Sequence, residues 1–250
     1  MSLIIKNVSK SFAGAYDESG ITHALGNINF SVEKGEFISI VGPSGCGKST
    51  ILRLVAGLLQ PTTGSITLNG NEIKSTGTER GMAFQKPTLF PWLTVEKNIN
   101  FGLRMRHQTA ELENKTNHML KLAGLYEFKN AYPHQLSGGM AQRVALVRTM
   151  INEPEMFLLD EPLGALDAFT RMNMQDELLS MWQKNKNMMI MVTHDVDEAI
   201  YMGNRVIIMA PRPGRITEDL KINLEYPRNR LSKEFLDYRI HILKALDFKQ

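Results

Sequence analysis

The stretch FISIVGPSGCGKSTILRLV, residues 37–55, leaves a folding chain the fewest choices. FISIV is rich in β-branched and aromatic residues and reads as a strand. TILRLVAGLL, residues 50–59, reads as an apolar helix. Between them lies GPSGCGKS, residues 42–49. A strand, a glycine-rich loop and a helix in that order let backbone N–H groups curl around an anion while the positive end of the helix faces it. Lys48 is then placed to reach β- and γ-phosphates, and the Ser49 hydroxyl to bind Mg²⁺. Gly42, Pro43, Ser44, Gly45, Cys46, Gly47, Lys48, Ser49 and Thr50 are accordingly the first candidate nucleotide contacts. The loop demands an α/β fold.

The remaining apolar runs agree with that demand. MFLLDE, NMMIMVTHD and RVIIMA are short and separated by helical patterns, as buried parallel strands are. Towards the N-terminus, LIIKNV, THALGNINFSVE, FISIVG and SITLNG are rich in β-branched or aromatic residues and bounded by turn residues, so an antiparallel layer is expected there. Residues 88–152 are different in kind. Thr94 precedes VEKNINFGLRMRH and Thr109 precedes AELENKTNHMLKLAGL, each placed as an N-cap, and Gly124 sits where the second helix stops. This is an inserted helical subdomain.

Composition limits the function classes. A chain of 250 residues with 43% apolar content buries a sizeable core. Its single cysteine, Cys46, forbids an internal disulfide. No segment approaches the roughly 18 apolar residues a spanning helix needs, and no N-terminal leader pattern is present, so a cytoplasmic chain with a membrane role only through partners is expected. The net charge of +3 lies entirely beyond Pro211, where nine Lys or Arg face six Asp or Glu. Charge spread so thinly is solvated surface, and nucleic acid is not expected as a partner.

Three further segments carry chemistry. FLLDEP delivers Asp160 and Glu161 at a strand end, one carboxylate for Mg²⁺ and one to polarise a water. His194, in TH after NMMIMV, ends another strand and is a candidate for the γ-phosphate. In HQLSGGMAQR, Ser137, Gly138 and Gly139 stand before MAQRVALVRTMI, whose apolar Met140, Val144, Val147 and Ile151 have helical spacing, so a second helix start is aimed at an anion. Cys46, inside the phosphate loop, is expected to have its thiol acidified by the loop amides and to react with maleimide; the alternative is an inert buried cysteine.

In the order GPSGCGKS, AFQ, LSGGMAQR, FLLDEP, LGALD and TH, the sequence resembles the nucleotide-binding subunit of an ATP-binding cassette (ABC) transporter over nearly its whole length. The resemblance implies an ABC ATPase fold: a P-loop NTPase core with an antiparallel β subdomain and an inserted α-helical subdomain. Residues 1–87 and 153–210 would form the ATPase core with its N-terminal β layer, 88–152 the helical subdomain with the signature, and 211–250 a C-terminal extension. It further implies ATP and Mg²⁺ as cofactors, and a homodimer in which each ATP lies between the phosphate loop of one subunit and Ser137, Gly138 and Gly139 of the other. Ser49, Gln85 and Asp160 would serve the metal, Glu161 would be the general base, and His194, Gln85 and Lys48 would complete the catalytic set. Asp167 would cross the dimer interface. Phe12 aligns with the aromatic residue that stacks on adenine, with Tyr16 as its rival. Met140 departs from the commonest signature, which has Gln there, and the loop from Ala13 to Thr22 is longer than in many relatives.

Two function classes follow. One is the energising subunit of a membrane importer, peripheral on the cytoplasmic face of the inner membrane, working with two integral-membrane permease subunits and, indirectly, an extracytoplasmic binding protein. The other is a soluble ABC-type ATPase acting on ribosomes or DNA. A single cassette with no long insertion between Ser49 and Ser137 favours the first. TLFPWLTV after Gln85 suits a permease-facing patch, with a core role for Phe90, Trp92 and Leu93 as the alternative. ERGMAFQ, LFPWLTVEKNINFGL, LGALDAFTR, THDVDEA and PRPGRI are most similar to cassettes of the nitrate, sulfonate and taurine importer group. That similarity makes a small anionic solute the expected cargo.

Overall fold

The structure is a computed structural model that describes residues 2–13, 20–108 and 112–246. Along the chain run β1 (Ser2–Ala13), β2 (Ile21–Glu33), β3 (Phe37–Val41), α1 (Lys48–Val55), β4 (Thr63–Leu68), β5 (Asn71–Glu72) and β6 (Arg80–Ala83). There follow α2 (Val95–Met105), α3 (Leu112–Leu122), α4 (Gly138–Met150), β7 (Met156–Asp160), α5 (Ala168–Asn185), β8 (Met188–Val192), α6 (Val196–Met202), β9 (Arg205–Ala210), β10 (Arg215–Lys221) and α7 (Lys233–Ala245). These elements gather into two compact units, Met1–Gly77 with Lys186–Gln250, and Thr78–Asn185.

The first unit holds an antiparallel sheet, order β2-β1-β4-β5, and four strands in the order β10-β9-β3-β8. The antiparallel layer is the one expected from the N-terminal sequence. Its β1 runs further than LIIKNV suggests, to Ala13, because Asn7 and Asn27 take left-handed backbone at irregular points of the β1–β2 ladder. Asparagine tolerates that conformation far better than a β-branched residue does, so the ladder resumes beyond each kink. β3 lies between β8 and β9 and is parallel to both, and all three are buried over most or all of their length. Parallel strands covered on both faces need such uninterrupted apolar sequence, and FISIV therefore belongs to this sheet and not to the N-terminal antiparallel layer in which its sequence neighbours place it.

Two elements of this unit were not anticipated from the sequence. β10 pairs antiparallel with β9, and α7 starts at Ser232, whose Oγ accepts from Phe235 N at 3.2 Å. Phe235 and Ile242 of α7 are buried in one core with Val196, Ala199 and Ile200 of α6 and Val41 of β3. Arg228 also braces α6. Its guanidinium donates to the carbonyls of Ile200 and Gly203 at the helix end and stacks 4.1 Å from the Tyr226 ring centroid.

The second unit pairs β6 and β7 in parallel and packs α2, α3 and α4 around Val95, Ile99, Leu120, Val144, Val147 and Ile151. α2 has Thr94 as its N-cap, accepting from Lys97 N at 3.3 Å, as the sequence predicts. α3 is followed by Gly124 with φ +62°, and Leu125 N donates back to Leu120 O at 2.8 Å, closing the helix end. Thr109, the expected cap of α3, lies outside the described residues, as does Tyr16. α4 is buried nearly all round, so it lacks a polar face along most of its length.

Arg228→Ala removes the charge-assisted bonds to the carbonyls of Ile200 and Gly203 and the stack on the Tyr226 ring. It should lower the unfolding free energy by about 2–4 kcal/mol, and Arg228→Lys should recover little of that. Urea titration of both variants checks this, and a loss under about 0.5 kcal/mol contradicts it.

Candidate functional site

The phosphate loop leaves the C-terminal end of β3 at Gly42 and enters α1 at Lys48. Gly47 is the N-cap, with φ +94° and no side-chain bond to the helix amides. A Cβ on Gly47 would also stand 2.4 Å from Leu25 Cδ2, so conformation and space both exclude any other residue. Lys48, 7% exposed, donates from Nζ to Gly42 O at 2.7 Å and Pro43 O at 3.1 Å, holding its ammonium against the loop. Pro43, Ser44 and Gly45 are exposed at the loop tip, while Ser49 and Thr50 open the helix and are half-buried.

His194 belongs to the same unit and the same sheet end. Ile40 of β3 is in register with Val192 of β8, so Gly42 and His194 each lie two residues beyond a paired position. Thr193 is buried and donates from N to Ile40 O at 3.2 Å, and Asp195 caps α6 by accepting from Glu198 N, which leaves the exposed His194 at a fixed bend. Phe12 is exposed near the end of β1, opposite Thr22, with Lys10 Nζ 5.1 Å from its ring centroid.

In the second unit, Ala83 of β6 is in register with Leu159 of β7. Gln85 and Glu161 therefore each lie two residues beyond that pair, and Gln85 Nε2 donates to Glu161 Oε2 at 2.9 Å. Glu161 takes φ +46°, a left-handed turn straight after the strand, and Asp160 before it is only 3% exposed. Ser137 is the N-cap of α4, its Oγ accepting from Met140 N at 3.2 Å, so the helix starts at Gly138 rather than after the glycines. Gly139 lies against Ala165 and Leu166, which brings the signature beside the LGALD segment. Asp167 accepts from Thr170 N at 3.0 Å, and hydrogen bonds from Thr170 hold its carboxyl below the ordinary value.

The same unit contains a groove of ≈ 620 Å³ lined by Arg80, Met82, Phe90, Phe101, Met105 and Arg148 among others. Trp92 is 70% exposed and so is not core, whereas Phe90 is half-buried against Phe101. Asn98 builds this loop and had no signal in the sequence. Buried inside α2, it donates to Phe90 O, Leu93 O and Thr94 O and accepts from Phe90 N at 2.8 Å.

Residues 25–164 match the family described as ABC transporter. An ABC transporter ATP-binding protein of Methanocaldococcus jannaschii is 49% identical over 250 residues, covering 98% of this chain and 91% of its own length. The chain belongs to the ABC transporter family. The aliphatic sulfonates import ATP-binding protein of Bacillus anthracis is 44% identical over 247 residues, 99% of this cassette and 96% of that protein. The taurine import ATP-binding protein of Pelagibacter ubique is 48% identical over 221 residues, 88% and 83% of the two chains. Among solved structures, a dimeric ATP-binding cassette in a post-hydrolysis state bound to ADP and Pi superposes with a TM-score of 0.81 at 32% identity, covering 89% of this cassette and all of that chain. The fold is that of an ABC ATPase, and the cassette is an ATP-binding, ATP-hydrolysing transport subunit.

The donor chemistry fits Mg²⁺. A Ser49 hydroxyl, an Asp160 carboxylate and the Gln85 amide are hard oxygen donors, and Mg²⁺ takes one or two of these together with phosphate oxygens and water. It needs no protein cage, and among the described residues no three His, Cys, Asp or Glu side chains gather into one. No helix among the described residues is long and apolar enough to cross a membrane.

The expectation of an acidic Cys46 thiol is overturned. The side chain is fully buried, with Sγ packed 2.8 Å from the place a Cβ on Gly42 would occupy. Burial pushes the thiol above its ordinary value, outweighing the opposing pull of Lys48 and of the backbone N–H groups of Lys48 and Cys46. The folded cassette should therefore react with maleimide at least roughly tenfold more slowly than the urea-unfolded chain. Thiol-labelling kinetics by mass spectrometry test this, and rapid labelling of the folded chain that ATP blocks contradicts it.

Proposed function

We propose that this cassette drives the import of a small anionic organic solute, a sulfonate such as taurine or a near relative, with nitrate as the inorganic member of the same group. The observation that supports the solute is the identity to sulfonate and taurine import ATP-binding proteins, 44% and 48%, extending over 99% and 88% of the chain. Segments such as LFPWLTV and LGALDAFTR share that likeness, and in this family they lie near the permease contact and the dimer interface. They can track the type of transporter without touching the cargo.

The mechanism assigned to the chain's own residues is as follows. The backbone N–H groups of the loop between Gly42 and Thr50, Pro43 excepted, and the Lys48 ammonium hold the phosphates, and Phe12 stacks on the adenine. Glu161 accepts a proton from the attacking water, and Gln85 orients that carboxylate through the Nε2–Oε2 bond. His194 donates a hydrogen bond to the γ-phosphate. Ser49, Asp160 and Gln85 would hold Mg²⁺ directly or through water, and the ion would supply neutralisation of the charge that develops on the phosphates. Ser137, Gly138 and Gly139 act on the nucleotide of a second copy, and Asp167 lies at that interface.

In this reading residues 88–152 form the helical subdomain and residues 211–250 the C-terminal extension. Two cassettes work beneath two integral-membrane permease subunits on the cytoplasmic face of the membrane, with a binding protein outside supplying the solute. Trp92 and the groove beside it face the permease. Two arginines, Arg106 and Arg148, and the rings of Phe90 and Phe101 suit an amphipathic helix with an acidic end.

Growth tests the assignment directly. A deletion strain without a redundant transporter should fail to grow on taurine or an alkanesulfonate as sole sulfur source, or on nitrate as sole nitrogen source. The wild-type gene should restore growth. Glu161→Gln should not, because losing a general base lowers turnover by about 10²–10⁴. Normal growth of the deletion strain on all of them rejects the solute class, and rescue by Glu161→Gln rejects the role of Glu161.

A further inference from the structure

Gln142 sits on α4 among apolar neighbours, 1% exposed, in a place where Leu or Met would fill the same volume. A buried amide is unfavourable unless its polar atoms are bonded, typically by about 1–3 kcal/mol for each group left unpaired. Gln142 satisfies only half of itself. Nε2 donates to Phe84 O at 3.3 Å, while Oε1 is buried and accepts no hydrogen bond among the described residues. Packing alone does not account for such a residue.

Its connections do. Phe84 directly precedes Gln85, whose amide holds the Glu161 carboxylate. On the other side, Gln142 stands five residues into the helix capped by Ser137. Thr149, seven residues further along α4, reaches Met82 O at 3.4 Å, so the two side chains bond alternate carbonyls of one strand and its extension. β6 pairs with β7, and α4 supplies hydrogen bonds along its other side. The approach is close: a Cβ on Gly81 would stand 2.9 Å from Thr149 Cγ2.

We infer that Gln142 is a positioning residue that transmits the placement of the signature serine, Ser137, to Gln85 and through it to Glu161. Thr149, whose Oγ1 also lies 3.2 Å from Ala145 O, holds the far end of α4 against β6 mainly by packing on Gly81. Gln142, with a single bond of 3.3 Å, is the polar contact between α4 and this strand that lies nearest the catalytic groups. When Ser137 engages a phosphate, movement of the α4 N-terminus shifts Phe84 and aligns the Gln85–Glu161 pair. The inference rests on the roles proposed for Gln85 and Glu161, and the experiment separates the two.

Gln142→Leu and the unbranched Gln142→Met are compared with wild type for kcat and KM in ATP hydrolysis, for binding of a fluorescent ATP analogue, and for thermal unfolding. Both should keep nucleotide affinity and Tm, hold KM within about twofold and lose roughly tenfold in kcat, the scale of a small misplacement of catalytic groups. In a Gln85→Ala background the same substitutions should cause no further loss, since the path they interrupt is already broken. Undiminished kcat in both variants overturns the inference, as does an equal loss with and without Gln85. A fall in Tm matching the loss of activity also overturns it, because that is the behaviour of a residue needed only for packing. Glu161→Gln serves as the control on the underlying reading: full turnover there overturns the reading and the inference together, whereas lost turnover there with active Gln142 variants overturns the inference alone.

Discussion

The seat of the phosphate loop is the constraint on which the first unit depends. Backbone from three places crowds beneath the loop: a Cβ on Gly214 would stand 2.1 Å from Cys46 O and 2.8 Å from Ala24 O, and Gly214 N donates to Ala24 O at 3.0 Å. The loop thus rests on β2 and on the turn between β9 and β10, and it is shaped before any ligand arrives. Lys48 adds a buried ammonium tied to the loop's own carbonyls. A phosphate that binds there exchanges those bonds for stronger, charge-assisted ones without rebuilding the backbone, which is how a preorganised anion site limits the entropy lost on binding.

Order further from the loop follows from the same sheet. β3 is buried between two parallel neighbours, so its end fixes both Gly42 and, through register with β8, His194. α6 begins one residue after Asp195 and is braced at its far end by Arg228 and along its side by α7. The second unit repeats the principle. Register of β6 with β7 makes Gln85 and Glu161 neighbours, and the left-handed turn at Glu161 directs its carboxylate to meet the amide.

Much of this was legible in the sequence because it depends on local or one-dimensional signals. MFLLD and MMIMV are buried end to end, as uninterrupted apolar runs in an α/β fold require. Thr94 and Gly124 bound their helices through backbone chemistry that acts over four residues. What stayed hidden depends on direction and register. Cys46 sits among loop amides as the sequence suggests, but its side chain points into the core, and burial then outweighs those amides. α7 mixes charged and apolar residues so evenly that its apolar stripe, Phe235 and Ile242, emerges only against α6. The Gln85–Glu161 bond joins residues 76 apart, and no spacing rule reveals which strands lie side by side.

The central claim is that a complete hydrolytic site takes its phosphate loop from one copy of the chain and its signature from another. Mixing two inactive variants, Lys48→Ala and Ser137→Ala, measures this directly by phosphate release. Each must first be shown to be folded, since Ser137 also caps α4. The mixture should recover roughly a quarter of the wild-type rate, because half of randomly paired dimers are mixed and each holds one intact site. No recovery on mixing, under conditions where wild-type subunits exchange freely, contradicts the claim.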